Sequence, residues 1–163
     1  MIILGVDPGY AIVGYGIISS EGGKYKAIDY GVITTPKEDS LPLRLSKIAD
    51  GFDKLIDKYN PEAVALEELF FQNNQKTAIM VAEARGATLL TLYNRCKNLY
   101  EYTPLQIKQA MTGYGRADKY QIQHMVTLLL NLKSIPKPDD AADALAVALT
   151  HAQTCRFTNM FRV

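Results

Sequence analysis

The sequence contains few of the side chains that build disulfides or zinc sites: two cysteines and two histidines among 163 residues. Cys96 and Cys155 lie far apart and lack the short spacing of metal ligands, so we interpret them as reduced, structural thiols of a cytoplasmic protein. His124 and His151 fall on predicted helices, where a histidine is more often structural than functional. The composition therefore disfavours a zinc site.

Long hydrophobic runs are also missing from the sequence. No stretch approaches the roughly 18 uninterrupted apolar residues that span a bilayer, and the first residues show neither a basic segment nor a cleavage site. We therefore expect no signal peptide and no membrane partner. The sequence has no internal repeat and no linker, and its 48% hydrophobic and 21% charged residues are typical of one globular domain.

A strong net charge is absent as well, but the total of +1 hides an asymmetry. Residues 1–70 carry 11 acids and seven bases, whereas residues 71–163 carry six acids and 11 bases. A neutral total argues against a nucleic-acid partner, whereas a divided charge leaves such a partner open.

The first stretch of the chain predicts a strand that ends in an acid. Residues 2–6 form a short, branched apolar run, which favours a buried strand over a helix. Asp7 follows, and Pro8-Gly9 then forces a turn before residues 12–18 return as an antiparallel strand. An acid at the exit of a core strand costs desolvation energy unless a metal, a cation or hydrogen-bond donors compensate. Capping of the turn by Asp7 is the ordinary alternative.

The rest of the chain alternates between short apolar strands and amphipathic helices. Periodicity and capping predict a strand over 24–34, a helix over 41–59 after the cap Ser40, a strand over 63–66, a helix over 75–95, a strand over 98–103, and helices over 104–111, 119–132 and 139–154. Short turns favour antiparallel pairing and helical crossovers favour parallel pairing. We therefore predict an α/β fold with a mixed five-stranded sheet, three antiparallel strands plus two parallel, and helices on both faces. Residues 1–155 form the predicted domain, and 156–163 form a short C-terminal tail.

Acids end two of the predicted strands, Asp7 after the first and Glu67-Glu68 after the fourth. If these strands lie side by side and parallel, their acids meet at the carboxyl edge, where open α/β sheets bind ligands. The last helix adds Asp139, Asp140 and Asp143. Acids at a helix N-terminus complement the macrodipole, but this does not explain Asp143, which lies a full turn inside an alanine-rich helix.

Carboxylates from distant parts of a chain repel one another unless a cation unites them. Hard divalent cations such as Mg²⁺ take oxygen ligands, usually one or two carboxylates with waters and substrate phosphates. Two such ions a few ångströms apart activate water and stabilise the leaving oxygen in phosphodiester cleavage. The acids thus suggest a metal-assisted reaction on a phosphodiester.

Four blocks of the sequence resemble the RuvC family of Holliday junction resolvases, within the ribonuclease H-like superfamily. These blocks are ILGVDPG at 3–9, ALEELF at 65–70, LQIKQAMTGYGRADKYQIQHMV at 105–126 and DDAADALAVALTHA at 139–152. With EARGA at 83–87, they cover nearly the whole chain. Any one block is weak, because similar first strands occur in sugar kinases and actin-like ATPases, but all of them in order are specific. The resemblance implies a ribonuclease H-like fold in which the first and fourth strands are adjacent.

The resemblance also implies an activity: a homodimer binds a four-way DNA junction and nicks two opposed strands, using Mg²⁺ or Mn²⁺, with two ions per site when substrate is bound. A branch-migration complex of the RuvA and RuvB type is the implied partner. By motif, the catalytic and metal-binding acids are Asp7, Glu67, Asp140 and Asp143. Glu67 rather than Glu68 matches the family position, since neighbours on a strand face opposite sides. Asp140 matches the i,i+3 pair with Asp143, and the choice between Asp139 and Asp140 stays open.

The resemblance points to nucleic-acid contacts at Phe70, Lys108, Arg116 and Lys119. Residues 104–137 hold five bases and one acid, although scattered lysines usually form a solvated helix face. Phe70 matches an aromatic residue that interacts with bases at the junction, and a core position is its ordinary alternative.

The predicted helix over 75–95 carries small residues where larger ones are normal, and we predict a dimer interface at Ala82, Gly86 and Ala87. A glycine inside a helix costs about 1 kcal/mol relative to alanine, which close packing against a second helix would explain. Gly86 could instead face the sheet of its own protomer.

The leading interpretation is a structure-selective endodeoxyribonuclease of DNA recombination and repair. A related ribonuclease H-like nuclease acting on RNA is an alternative that the 105–126 block disfavours. A junction-binding protein with a degenerate site is another, and the presence of all four acids argues against it.

Overall fold

The computed structural model describes residues 1–69, 75–154 and 163. Within these ranges, the sheet consists of β1 (Ile2–Asp7), β2 (Ile12–Glu21), β3 (Lys24–Thr34), β4 (Ala63–Glu67) and β5 (Leu99–Tyr102). The helices of the same residues are α1 (Leu41–Tyr59), α2 (Gln75–Arg95), α3 (Pro104–Thr112), α4 (Lys119–Leu129) and α5 (Asp139–Thr154).

The strands follow the order β3-β2-β1-β4-β5. Strands β1, β2 and β3 pair antiparallel because short turns join them, whereas β4 pairs parallel with both β1 and β5 because helices connect these strands. The predicted mixed sheet of three antiparallel and two parallel strands is confirmed, and so is the adjacency of the first and fourth strands. Val6 lies opposite Leu66 in the β1–β4 register, so these two strands end at the same level of one edge.

Helices cover both faces of the sheet, as predicted, and each face has its own hydrophobic core. On one side α1 and α2 pack over Leu4 and Val6. On the other side α3, α4 and α5 pack over Ile3. The alternation of Ile3, Leu4 and Val6 along β1 assigns each side chain to its core, because successive residues of a strand face opposite sides.

Helix α5 lies directly on β1 and β2 because the facing residues are small. A Cβ atom added at Gly5 would lie 2.1 Å from the carbonyl oxygen of Ala144, and one added at Gly14 would lie 2.0 Å from that of Asp140. Only glycine fits at these two positions. Nearly every residue of α5 from 141 to 152 is buried, and many of these residues are alanines. This close approach brings the first turn of α5 to the end of β1.

Most predicted helix boundaries agree with the structure, and α4 is the main exception. It ends at Leu129 rather than at residue 132, because Asn131 adopts a left-handed conformation with φ of 50°, which asparagine tolerates better than most residues. Ser40 is the N-cap residue of α1, as predicted. Asp118 caps α4 through a reciprocal pair of hydrogen bonds with Gln121.

Among the helices of the described residues, none is long and apolar enough to cross a membrane. Residues 155–162 lie outside the described ranges. The division into a domain over 1–155 and a tail over 156–163 therefore stays a prediction.

Candidate active site

Three elements of the fold deliver carboxylates to one edge of the sheet. Asp7 is the last residue of β1 and Glu67 is the last residue of β4, and the parallel register places these two strand ends side by side. At the same edge, the first turn of α5 packs against Gly14, which pairs with Asp7 across β1 and β2. Asp140 and Asp143 follow on that helix, one turn apart. The four acids therefore meet where open α/β sheets bind ligands.

The ionisation of Asp7 reflects this crowding. Burial, together with the negative charges of Glu67, Asp143 and Asp140, raises the pKa of Asp7 from 3.8 to about 8, while the charge of Lys119 opposes the shift. Desolvation and like charges both disfavour the ionised form of a carboxyl group. Asp7 thus occupies a position that is unfavourable for its charge unless a cation binds beside it.

Glu67 and Asp143 line a cavity of about 190 Å³ together with Lys108 and Lys119. Burial and the charge of Asp143 raise the pKa of Glu67 from 4.5 to about 7, and the two lysines oppose this shift. Burial also raises the pKa of Asp143, against the hydrogen bond and positive charge of Lys119. The apolar part of the wall consists of Pro104, Ile107, Ile122 and Ala146. The cavity therefore combines carboxylates, cations and a desolvating wall.

Lys119 forms ion pairs with two acids of α5. Its Nζ atom lies 3.1 Å from Oδ2 of Asp143 and 3.4 Å from Oδ2 of Asp139. Asp139 also accepts a hydrogen bond of 2.8 Å from Lys137, which, with Lys119, lowers the pKa of Asp139 below 3.8. Asp140 adds to the repulsion on Asp7, and Asp139 has no such effect. The geometry therefore groups Asp140 with the acid cluster and leaves Asp139 as a paired surface acid.

The second glutamate after β4 belongs to a different environment. The charge of Glu68 acts on Glu101 rather than on Asp7, and its backbone N–H donates to the carbonyl of Tyr102 at 2.8 Å. Glu67, not Glu68, is thus the member of the doublet that joins the acid cluster, as strand alternation predicts.

The donor set fits a hard divalent cation. No three acidic, histidine or cysteine side chains of the described residues enclose a metal ion by themselves. Mg²⁺, however, is usually held by one or two carboxylates that share it with waters and phosphate oxygens. Asp7, Glu67 and Asp143 offer carboxylate oxygens whose ionisation is disfavoured in the present arrangement. These side chains could bind such an ion together with a phosphate group.

The predicted nucleic-acid contacts lie around the cavity as far as they are described. Lys108 and Lys119 line it directly. Arg116 is exposed in the connection between α3 and α4. Phe70 lies outside the described residues, so its contact with bases stays a prediction.

Helix α2 presents an exposed face that contains the predicted dimer residues. Ala82 and Gly86 are exposed and Ala87 is half-buried, and a Cβ atom added at Gly86 would meet no atom of the described residues within 4 Å. The alternative that Gly86 faces its own sheet is therefore wrong. The large apolar residues exposed on the same helix are Ile79, Leu90 and Tyr93.

Arg44 is a buried residue near the acid edge that no motif identifies. It lies on α1 at the start of a buried face that continues, every four residues, through Ile48, Phe52 and Ile56. The signal that locates it is positional, because an arginine that continues an apolar i,i+4 series must enter the protein interior.

Known proteins resemble this chain over nearly its whole length. The family model of the crossover junction endodeoxyribonuclease RuvC matches residues 3–151. The crossover junction endodeoxyribonuclease RuvC of Alkaliphilus oremlandii is 58% identical over 163 residues, which cover 100% of this chain and 99% of that protein. The RuvC structure of Thermus thermophilus is 35% identical, with a TM-score of 0.89 and 99% of both chains covered.

A second structure of that protein, in complex with a Holliday junction substrate, gives a TM-score of 0.87 at 34% identity, with 96% of each chain covered. The acids of the sequence motif meet at one sheet edge, and both sequence and fold match over almost every residue. The chain therefore belongs to the crossover junction endodeoxyribonuclease RuvC family.

Proposed function

We propose that the protein is a structure-selective endodeoxyribonuclease that resolves Holliday junctions in DNA recombination and repair. It makes paired, symmetric nicks by metal-assisted phosphodiester hydrolysis with water as the nucleophile. The observation that carries this proposal is the meeting of Asp7, Glu67, Asp140 and Asp143 at one edge of the sheet, beside two lysines. The names of the relatives and the Thermus complex with a junction support the choice of substrate.

The four acids would hold Mg²⁺, which Mn²⁺ can replace, with two ions per site when substrate is present. When bound, such ions lower the pKa of an attacking water and neutralise charge on the leaving oxygen. For Asp7 to serve as a ligand its carboxyl group must lose its proton, which its pKa of about 8 hinders until positive charge arrives. Metal and acid therefore favour each other's binding state.

Lys119 has two tasks in this scheme. In the metal-free protein it neutralises Asp143 and Asp139. A cation among the acids would take over that role, so the ammonium group, whose side chain is 55% exposed, is then available to contact a DNA phosphate. Lys108, in the same cavity, and Arg116, exposed in the following loop, extend the basic surface. Phe70 would stack on a base near the cleavage site, which is worth about 1–3 kcal/mol.

The protein would act as a homodimer through α2. A four-way junction has two equivalent strands to cut, and a twofold axis supplies two identical sites. The exposed Ile79, Leu90 and Tyr93 would be covered by the partner helix, which approaches closely at Ala82, Gly86 and Ala87. Delivery of the substrate by a branch-migration complex of the RuvA and RuvB type, and a cytoplasmic location, complete the proposal.

Sedimentation tests the dimer separately from the chemistry. Gly86→Leu should shift the protein toward monomer, because bulk forced into a tight contact costs roughly 1–3 kcal/mol and the change occurs twice across a twofold axis. Ser46→Leu, at an exposed position of α1, controls for an added surface leucine. A Gly86→Leu protein that sediments as a stable dimer would contradict the interface.

The experiment for the activity is cleavage of a synthetic four-way junction with Mg²⁺, beside a linear duplex of the same sequence. We expect paired nicks in the junction, intact duplex, and no cleavage after the metal is chelated. Binding without cleavage would indicate a junction-binding protein with a degenerate site, and preferred cleavage of structured RNA would indicate a nuclease of RNA.

A further inference from the structure

Arg44 is buried without an acid. Its side chain belongs to the interior, with 7% of the residue exposed, and it is the only arginine, lysine, aspartate or glutamate among the described residues that is fully buried. No carboxylate of the described ranges lies within ion-pair distance of its guanidinium. Buried charges in proteins are normally paired, so this residue requires an explanation other than a salt bridge.

The partners of Arg44 are neutral groups of two neighbouring segments. Its Nε atom donates to Oγ1 of Thr35 at 2.9 Å, and Nη2 donates to the carbonyl oxygen of the same residue at 3.3 Å. The guanidinium also lies over the ring of Tyr10, 4.4 Å from its centroid. Arg44 thus links α1 to the end of β3 and to the turn that follows Asp7.

These contacts set the direction of a hydrogen bond. A guanidinium can only donate, so the Thr35 hydroxyl must accept from Arg44 and direct its own proton elsewhere. That proton goes to the carbonyl oxygen of Tyr10, 2.6 Å away, while the backbone N–H of Thr35 donates to Ala11 at 2.9 Å. Both carbonyl groups belong to the turn between β1 and β2.

The turn itself has little freedom and begins directly after the acid. A Cβ atom at Gly9 would lie 2.1 Å from the carbonyl oxygen of Ile12, so the backbone passes closely over itself. Asp7 is the last paired residue of β1, and like charges push its side chain away from the cluster. The backbone that follows Asp7 must therefore be held if the carboxylate is to stay in place.

We propose that Arg44 is a positioning residue for the cleavage reaction, which acts through Thr35 to hold the turn over residues 8–11 and thereby the carboxylate of Asp7. This inference rests on the proposed function. An apolar residue would suit the buried face of α1 at least as well for stability, because a buried charge carries a desolvation penalty that hydrophobic replacement removes. Arg44 is instead suited to fixing the Thr35 hydroxyl.

The test is the single-turnover cleavage rate of a four-way junction at saturating enzyme, with junction affinity and thermal unfolding measured on the same proteins. Arg44→Met keeps the length of the side chain and removes the donors. We expect the rate to fall about tenfold or more, since small misplacements of catalytic groups have effects of this size. The junction Kd should stay within about twofold, because Arg44 is buried away from solvent. The Mg²⁺ concentration for half-maximal rate should rise.

Two further variants separate positioning from mere structure. Thr35→Val, which keeps the shape and removes the hydroxyl, should slow cleavage similarly, and the double variant should be no slower than Arg44→Met alone. Arg44→Lys, which retains one donor, should restore part of the rate. Arg95→Met is the matched control: Arg95 is partly exposed and pairs with Asp53 and Asp57, and its loss should leave the rate unchanged.

A rate within twofold of the unaltered protein in folded Arg44→Met, or in Thr35→Val if the former does not fold, would overturn the inference. A lowered melting temperature with an unchanged rate would do the same. If the unaltered protein does not cut junctions at all, the proposed function fails first and this inference with it. A wild-type protein that cuts, beside an Arg44→Met protein that cuts equally fast, refutes the positioning role alone.

Discussion

The two ends of helix α5 hold buried titratable groups under opposite conditions. At its N-terminal end, Asp140 and Asp143 stand beside Asp7, where burial and like charges oppose ionisation. At its C-terminal end, His151 is only 1% exposed, and its Nδ1 atom lies 2.8 Å from the hydroxyl oxygen of Tyr102. The same helix, packed on the same sheet, therefore builds one repulsive site and one that is satisfied.

The histidine end shows how this fold buries a polar group for stability. Burial lowers the pKa of His151 to about 4, so the imidazole is neutral at pH 7, hydrogen-bonded to Tyr102 and packed on the ring of Tyr100 at 4.4 Å between centroids. Buried polar groups are normally neutral and paired in this way. The acid end departs from that rule, and strongly perturbed carboxylates in a cleft are typical of functional sites. Stability explains the first arrangement, and chemistry explains the second.

The strongest break of the comparison is the removal of one charge from the acid end. Asp7→Asn should lower the rate of metal-dependent junction cleavage by about 10³-fold or more, because a lost ligand withdraws several kcal/mol of transition-state stabilisation. Binding to the junction should survive, since it depends on phosphate contacts. Cleavage kinetics beside a binding titration check both statements, and near-normal cleavage by this variant would contradict the assignment.

The same variant should stabilise the metal-free protein. The folded pKa of Asp7, about 8, exceeds its ordinary 3.8, so the folded state binds more protons and this group's contribution is lost as pH rises from 3.8 through 8. Asparagine has no such loss. The unfolding free energy of Asp7→Asn should therefore exceed that of the unaltered protein by about 3 kcal/mol at pH 8, and the difference should vanish near pH 4. Equal stabilities at pH 8 in chelator would show that the acids do not repel one another.

The histidine end should respond to pH with the opposite sign. The folded pKa of His151, about 4, lies below its ordinary 6.5, so its contribution is intact above pH 6.5 and is lost as pH falls toward 4. The acid cluster gains stability over the same interval, so the measurement is the difference between the unaltered protein and His151→Gln. That difference should shrink by about 2 kcal/mol between pH 7 and pH 4. A constant difference would mean that the buried histidine does not resist protonation.

The smallest expected effect concerns the cation that screens the acid end. Lys119→Ala should weaken junction binding and flatten the dependence of log K on log salt by about one unit, as expected for one lost phosphate contact. Lys54→Ala, at an exposed position of α1, is the control and should leave the slope unchanged. An unaltered slope in Lys119→Ala would restrict this lysine to its ion pairs with Asp139 and Asp143.

Much of this arrangement follows from the sequence. Strand ends locate Asp7 and Glu67, strand alternation separates Glu67 from Glu68, and helical spacing pairs Asp140 with Asp143. The mixed sheet follows from the lengths of the connections. These inferences succeed because they depend on local periodicity and on the geometry of short turns.

Other features depend on contacts between distant segments. Asp139 and Asp140 are equivalent by sequence, and only the ion pairs of Asp139 with Lys137 and Lys119 separate them. The close seating of α5 needs Gly5 and Gly14, whose role appears only when the helix is placed on the strands. Local pattern cannot supply such long-range pairings.

The adjacent aspartates at the start of α5 give the most direct test of the central claim, that acids grouped at the sheet edge hold the metal that cuts the junction. Asp140→Asn and Asp139→Asn remove the same charge from neighbouring positions, and only Asp140 acts on Asp7. The measurement is the single-turnover rate of Mg²⁺-dependent junction cleavage by both variants. Asp140→Asn should lose about 10³-fold, while Asp139→Asn should stay within about threefold of the unaltered protein. Equal losses in both variants, or near-normal cleavage by Asp140→Asn, would contradict the account.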